Sequence, residues 1–151
     1  MTATLSPTTK KNAITGKNTL VGYKLASDTS GSYVTIPGVS VFTGLGGTVE
    51  DIDQTCIAED TKRYLSGAWD GNEITITIHH YTGDTTQQAL ISAANSGSII
   101  SLCIQYQDES TAIMEEVVLK SATPQDPSIS DTLKWDIVGK LNSKPTWTLA
   151  S

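Results

Sequence analysis

The chain has 151 residues, 38% hydrophobic and 17% charged, with 16 acids against 10 bases and a net charge of −6. That length suits one domain whose core needs no covalent staples. It holds nothing near the run of about 20 apolar residues that a membrane-spanning helix requires. A pI near 4.7 argues against nonspecific DNA binding through a basic surface.

Ser and Thr together make 38 residues and there is one Phe. Core volume must come from Ile, Leu, Val, Trp and Tyr in a strand-rich chain. Residues 1–18 show no periodicity. Lys10, Lys11 and Lys17 fall there without an acid, so residues 1–19 are expected to be a flexible, basic N-terminal arm. The first 20 residues have no apolar stretch, and no signal peptide is expected. Residues 20–147 are read as one β domain and 148–151 as a short tail. Leu20–Leu25 is a strand, Ser27–Ser32 a turn, and Tyr33–Ile36 a second strand running into the Pro37-Gly38 turn. Val39–Phe42 is a short strand. Gly44–Gly71 has little pattern and is expected to be a long functional loop, with strand pieces near Thr48–Asp53. Its surroundings are acidic: residues 25–119 carry only Lys62 and Arg63 as bases, against thirteen acids.

Glu73–Tyr81 is the clearest strand. Ile74, Ile76 and Ile78 alternate with Thr75, Thr77 and His79. A helix follows, with Asp84 as N-cap, Gln87 placed for a capping box, Ala89, Leu90, Ala93 and Ala94 at helical spacing, and Gly97 as a left-handed stop. Ile99–Tyr106 and Ala112–Ser121 read as strands joined by a hairpin turn at Asp108–Thr111. Pro124 and Pro127 are expected to break the chain. Leu133–Leu141 alternates again, with Leu133, Trp135, Ile137 and Leu141 on its apolar side. The order of elements predicts a mainly β (α+β) fold: a β-sandwich or barrel with one flanking helix.

Chemistry is hard to find. The two histidines, His79 and His80, are adjacent on a strand and point to opposite faces. Asp51-x-Asp53 lacks the glycine and the terminal glutamate of a calcium loop. Gly44–Gly47 lacks the lysine of a phosphate-cradling loop. Cys56 and Cys103 match no zinc spacing and are read as free thiols. No catalytic residue, metal or cofactor is expected, and the protein is read as not an enzyme. Trp135 is placed in the core by strand parity. Tyr64, Trp69 and Trp147 are candidates for contacts.

The run Thr48–Tyr81 carries an acidic segment (Glu50, Asp51, Asp53), then Thr61, Lys62, Arg63, Tyr64, Leu65, Gly67, Asp70 and Gly71, then the alternating strand. With the helix Gln88-Ala89-Leu90…Gly97 and the ending Gly139-Lys140…Lys144-Pro145-Thr146-Trp147, it resembles the tail tube (major tail) proteins of long, non-contractile-tailed bacteriophages. The resemblance covers residues 45–147. The paired histidines belong to no pattern of that family, and no extra C-terminal domain is seen.

The resemblance implies a structural virion protein: hexameric rings whose sheets join into one continuous barrel, stacked around a tape-measure protein. The tube ends would meet tail tip or baseplate and terminator proteins. Genomic DNA would pass through the lumen without specific binding, no membrane would be involved, and assembly would occur in the host cytoplasm before the protein resides in the tail. On this reading Thr75, Thr77 and His79 line the lumen, and the local negative charge repels DNA. Lys10, Lys11 and Lys17 of the arm would meet Glu50, Asp51, Asp53, Glu59 and Asp60 between rings, with Lys62, Arg63, Tyr64, Trp69 and Trp147 at subunit contacts. A type VI secretion-like tube protein and a β-sandwich glycan- or receptor-binding module are the alternatives.

Overall fold

The computed structural model describes residues 16–28 and 32–149. The strands are β1 (Leu20–Leu25), β2 (Val34–Thr35), β3 (Val39–Thr43), β4 (Gly47–Asp53), β5 (Tyr64–Gly71) and β6 (Glu73–His79). After the helix α1 (Thr85–Ser96) come β7 (Ile99–Gln105), β8 (Thr111–Pro124), β9 (Lys134–Leu141) and β10 (Thr146–Thr148).

Eight strands form one sheet in the order β2-β1-β7-β8-β9-β6-β3, with β10 added beside β8, and every pairing is antiparallel. The predicted alternation of β6 is realised. Ile74, Ile76 and Ile78 are fully buried, while Thr75, Thr77 and His79 are half-buried on the opposite face. Their register partners on β9 extend both faces: Ile76 lies opposite Ile137, and Thr77 opposite Asp136. Leu102, Met114, Leu119 and Leu141 complete the apolar layer. Each such side chain contributes roughly 1.5–3 kcal/mol when fully buried.

α1 lies over β8 and β9. Asp84 Oδ1 accepts the Gln87 amide at 3.0 Å, and Gly97 ends the helix at φ 72°. Two expectations are corrected. Ala89 is exposed, and the buried face is Gln87, Leu90, Ala93 and Ala94. Gln87 also does not close the reciprocal half of a capping box. Its Oε1 accepts the Tyr81 amide, and its Nε2 donates to the carbonyls of His79 and Pro37 at 2.7 and 3.0 Å. One amide side chain thereby ties the helix start to the end of β6 and to the turn before β3.

Other differences follow from pairing. Residues 44–71 are not a loop. Residues 47–71 form a hairpin, because β4 pairs with β5 from Gly47–Gly71 out to Asp53–Tyr64. Strand β8 continues through Ala122 to Pro124, where proline takes the last register position, opposite Trp135; a strand end tolerates the missing donor. One extra residue on β8, against Ser101, makes a bulge, and the Ser101 hydroxyl donates to the Glu115 carbonyl at 2.6 Å. Strand β9 begins at Lys134, which leaves Leu133 exposed. Trp135 is only partly buried, packed against the core from outside, and its Nε1 donates to His80 Nδ1 at 3.1 Å.

Candidate assembly surfaces

Three surfaces carry the residues singled out by sequence. The first is the polar sheet face. Thr77 Oγ1 donates to Asp136 Oδ1 at 2.8 Å, and Gln125 Nε2 donates to the same oxygen at 3.1 Å. His79 Nδ1 is hydrogen-bonded to Thr132 Oγ1 at 2.9 Å. The neighbouring strands bring lysines that the local charge count of β6 does not include, and each has a carboxylate. Lys120 meets Glu73 at 3.2 Å, Lys134 meets Asp131 at 3.7 Å, and Lys140 meets Asp70 at 3.4 Å. The face around Thr75, Thr77 and His79 is therefore charge-paired. Asp136, opposite Thr77, is the exception, its carboxylate accepting from Thr77 and Gln125 rather than from a lysine.

The β4–β5 hairpin is the second surface. The body holds it at its base, where Gly71 packs against Leu141, Asp70 pairs with Lys140 and Trp69 leans on the core. Register places Val49 opposite Trp69. One extra residue on β5 makes a bulge, with Gly67 and Ala68 set against Glu50, and beyond it Ile52 lies opposite Leu65, with the Ile52 methyl beside Gly67. Strand β4 itself stays regular, so Val49 shares a face with Asp51 and Asp53, while Ile52 and Leu65 form an exposed apolar pair on the opposite face. A two-stranded ribbon is marginal in water without a partner on such a face. Asp51 and Asp53, with Ser66 and Tyr64 opposite them, are exposed on this arm, and Glu50 sits opposite the bulge.

The hairpin tip is closed by its own hydrogen bonds. Asp53 Oδ1 accepts the Thr55 amide at 2.8 Å, and Thr55 Oγ1 accepts the Arg63 amide at 2.8 Å. Glu59 accepts the Cys56 amide and pairs with Arg63 Nη1 at 2.9 Å. The Thr55 hydrogen bonds hold the Asp53 carboxyl below its ordinary range. Arg63 is thus a brace within the tip as well as a surface cation, and Asp60 and Lys62 are exposed beside it.

The third surface is the aromatic pair at β10. Trp147 is half-exposed and stacks on Tyr106, with ring centres 6.4 Å apart and planes 13° from parallel. Lys17 lies in the turn at residues 16–19 that leads into β1. Lys10 and Lys11 lie outside the described residues.

Cys56 and Cys103 are free thiols, and burial pushes the Cys103 thiol up, the opposite of what a nucleophile needs. Among the described residues no group of His, Cys, Asp and Glu is arranged to hold a metal ion, and no helix is long and apolar enough to cross a membrane. Sequence reading missed the exposed apolar pair of Ile52 and Leu65 on the hairpin. The bulge on β5 breaks the alternation of that strand, and the acids of β4 disguise Ile52.

The sheet is open, an arm projects from it, and the residues singled out by sequence lie spread over surfaces. The family described as phage tail tube, TTP, lambda-like matches residues 12–132, and the chain belongs to that family. It is a structural protein of a phage tail tube. No curated protein matches the sequence. Among solved structures, the fold is similar to the tail of an empty gene transfer agent particle, at 17% identity and TM-score 0.69 over 91% of this chain and 100% of that one. It is also similar to the SPP1 tail tube, at 14% identity and TM-score 0.67 over 92% of this chain and 81% of that one. The tube-terminating cap of the anti-feeding prophage matches at 13% identity and TM-score 0.69, over 96% and 97% of the two chains.

Proposed function

We propose that copies of this chain form hexameric rings, that the rings stack into a tube around a tape-measure protein, and that genomic DNA leaves through the lumen. Tail-tip or baseplate proteins meet one end and a terminator the other. Assembly takes place in the host cytoplasm. The chain performs no reaction.

The observation that carries this reading is an eight-stranded sheet left open at β2 and β3, in a chain of the tail tube family. Free strand edges invite pairing with another copy, and closure into a ring removes them. The hairpin supplies the reach across a boundary: its seven-residue strand β4 spans about 23 Å. In this arrangement Thr75, Thr77 and His79 face the lumen. Paired lysines on that face offer phosphate little net attraction, which keeps the passage free. The hairpin acids Glu50, Asp51, Asp53, Glu59 and Asp60 meet Lys10, Lys11 and Lys17 of the next ring, and Lys62, Arg63, Tyr64, Trp69 and Trp147 contribute at subunit contacts. One exposed ion pair is worth about 0–1 kcal/mol, but contacts repeated around a ring act together.

The glycan-platform alternative finds less support. Trp69 is committed to the hairpin base and Trp147 to Tyr106. The test is co-assembly with the tape-measure protein of the same phage. Tubes of uniform length that track tape length support the reading. Polymers whose length ignores the tape, or no polymers, contradict it.

A further inference from the structure

The curled sheet leaves a seam. Strand β3, at one end of the strand order, faces β1 and β7 near the other end without pairing, and a hollow of about 290 Å³ lies between them. Its walls include Val21, Val39, Phe42, Leu45, Ile104 and Tyr106. Val41, also on the wall, is exposed. Ser40 and Thr19 bring polar groups to it. Thr19 lines the hollow, and its Oγ1 is the one buried side-chain polar atom without a hydrogen-bond partner among the described residues. An orphaned hydroxyl on a wall that mixes apolar side chains with polar groups calls for an occupant that brings both apolar bulk and a backbone donor or acceptor.

The same molecule carries such an occupant. Ile57 stands fully exposed at the hairpin tip, in a turn fixed by the Asp53–Thr55 and Glu59–Arg63 contacts. A rigid turn presenting one branched aliphatic side chain loses little freedom on docking. The hairpin leaves the body next to Leu45, at the rim of its own hollow, and the tip hydrogen bonds close on the tip itself. The geometry points to a knob-and-socket contact between copies: Ile57 of one chain enters the seam between β3 and β1/β7 of another, and the tip backbone satisfies Thr19. Knob and socket are different surfaces, so the contact is heterologous and propagates into a ring or a filament. This deepens the tube reading and rests on it.

The native thiol of Cys56, next to Ile57, makes the test direct. In a C103S background, V41C places a thiol on the socket wall. Assembled protein is treated with a short bismaleimide and run on denaturing gels. The contact predicts a ladder of covalent multimers, against dimers at most for C103S alone. Tubes without a ladder overturn the contact and leave the tube reading standing. A faster-migrating monomer overturns it too, because the tip then folds onto its own socket. So does a ladder that appears only after deletion of residues 2–15, because that segment then fills the socket. If the unaltered chain forms no tubes, the contact falls with the reading beneath it. In parallel, I57D should leave monomer melting unchanged and raise the critical concentration for assembly roughly tenfold or more, as expected for losing one buried aliphatic side chain. I57L should restore assembly.

Discussion

Trp69 lies across Gly47. A β-carbon built on Gly47 would come within 2.6 Å of the Trp69 ring and would also collide with the Asp70 carbonyl. The first pairs of the hairpin are therefore a glycine–tryptophan fit, and that fit sets the direction in which the arm leaves the body. Gly47→Ala should displace the indole and tilt the arm while leaving the Ile74–Ile76–Ile78 core intact. The expected outcome is an altered near-ultraviolet tryptophan signal, a melting temperature within a few degrees of the parent, and failed or disordered assembly.

Gln87 is the buried polar side chain on which the helix seat depends. Gln87→Leu removes the acceptor for the Tyr81 amide and the donor to the His79 and Pro37 carbonyls. Leaving such groups unpaired should cost about 3 kcal/mol, roughly 10 °C in a domain of this size. Thermal denaturation checks this. Asp84→Ala loses only the N-cap bond and should cost about 1 kcal/mol.

The hairpin tip has a pH signature. Hydrogen bonds from Thr55 depress the Asp53 pKa. A depressed carboxylate stabilises the folded tip above its unfolded pKa, and that contribution is lost as pH falls through the folded value. The Thr55 amide resonance should therefore titrate with a midpoint below the ordinary aspartate value of about 3.9. Asp53→Asn should abolish the titration. A midpoint at or above the ordinary value would show that the Thr55 contact is not formed in solution.

Charge reversal at the tip separates folding from assembly. Arg63 pairs with Glu59 on an exposed surface, where such a bridge contributes little. The double change Lys62→Glu, Arg63→Glu should leave the far-ultraviolet circular dichroism unchanged and weaken polymerisation. Loss of folding instead would assign the pair to the domain interior.

Legibility in the sequence tracked how strongly each segment is tied to the core. Ile74, Ile76 and Ile78 announce β6 because one face is completely buried, and burial enforces a period of two. Asp84 and Gly97 announce α1 because caps are local chemistry. The hairpin was opaque for the converse reason. Its apolar pair of Ile52 and Leu65 faces solvent in the single chain, Val49 lies on the other face among acids, and the extra residue on β5 interrupts the alternation there. The role of Gln87 was equally hidden, since its partners at Pro37 and His79 come together only in three dimensions. The lysines beside the Thr75–His79 face were hidden for the same reason, since Lys134 and Lys140 arrive on a strand more than fifty residues later in the chain.

The central claim is that these open edges and this arm are completed by further copies of the same chain. Electron microscopy of the purified protein, concentrated and seeded with short tubes, tests it most directly. The account predicts hollow filaments with sixfold end views, with the hairpin density crossing a subunit boundary. Single particles at every concentration, with the hairpin folded onto its own body, would contradict it.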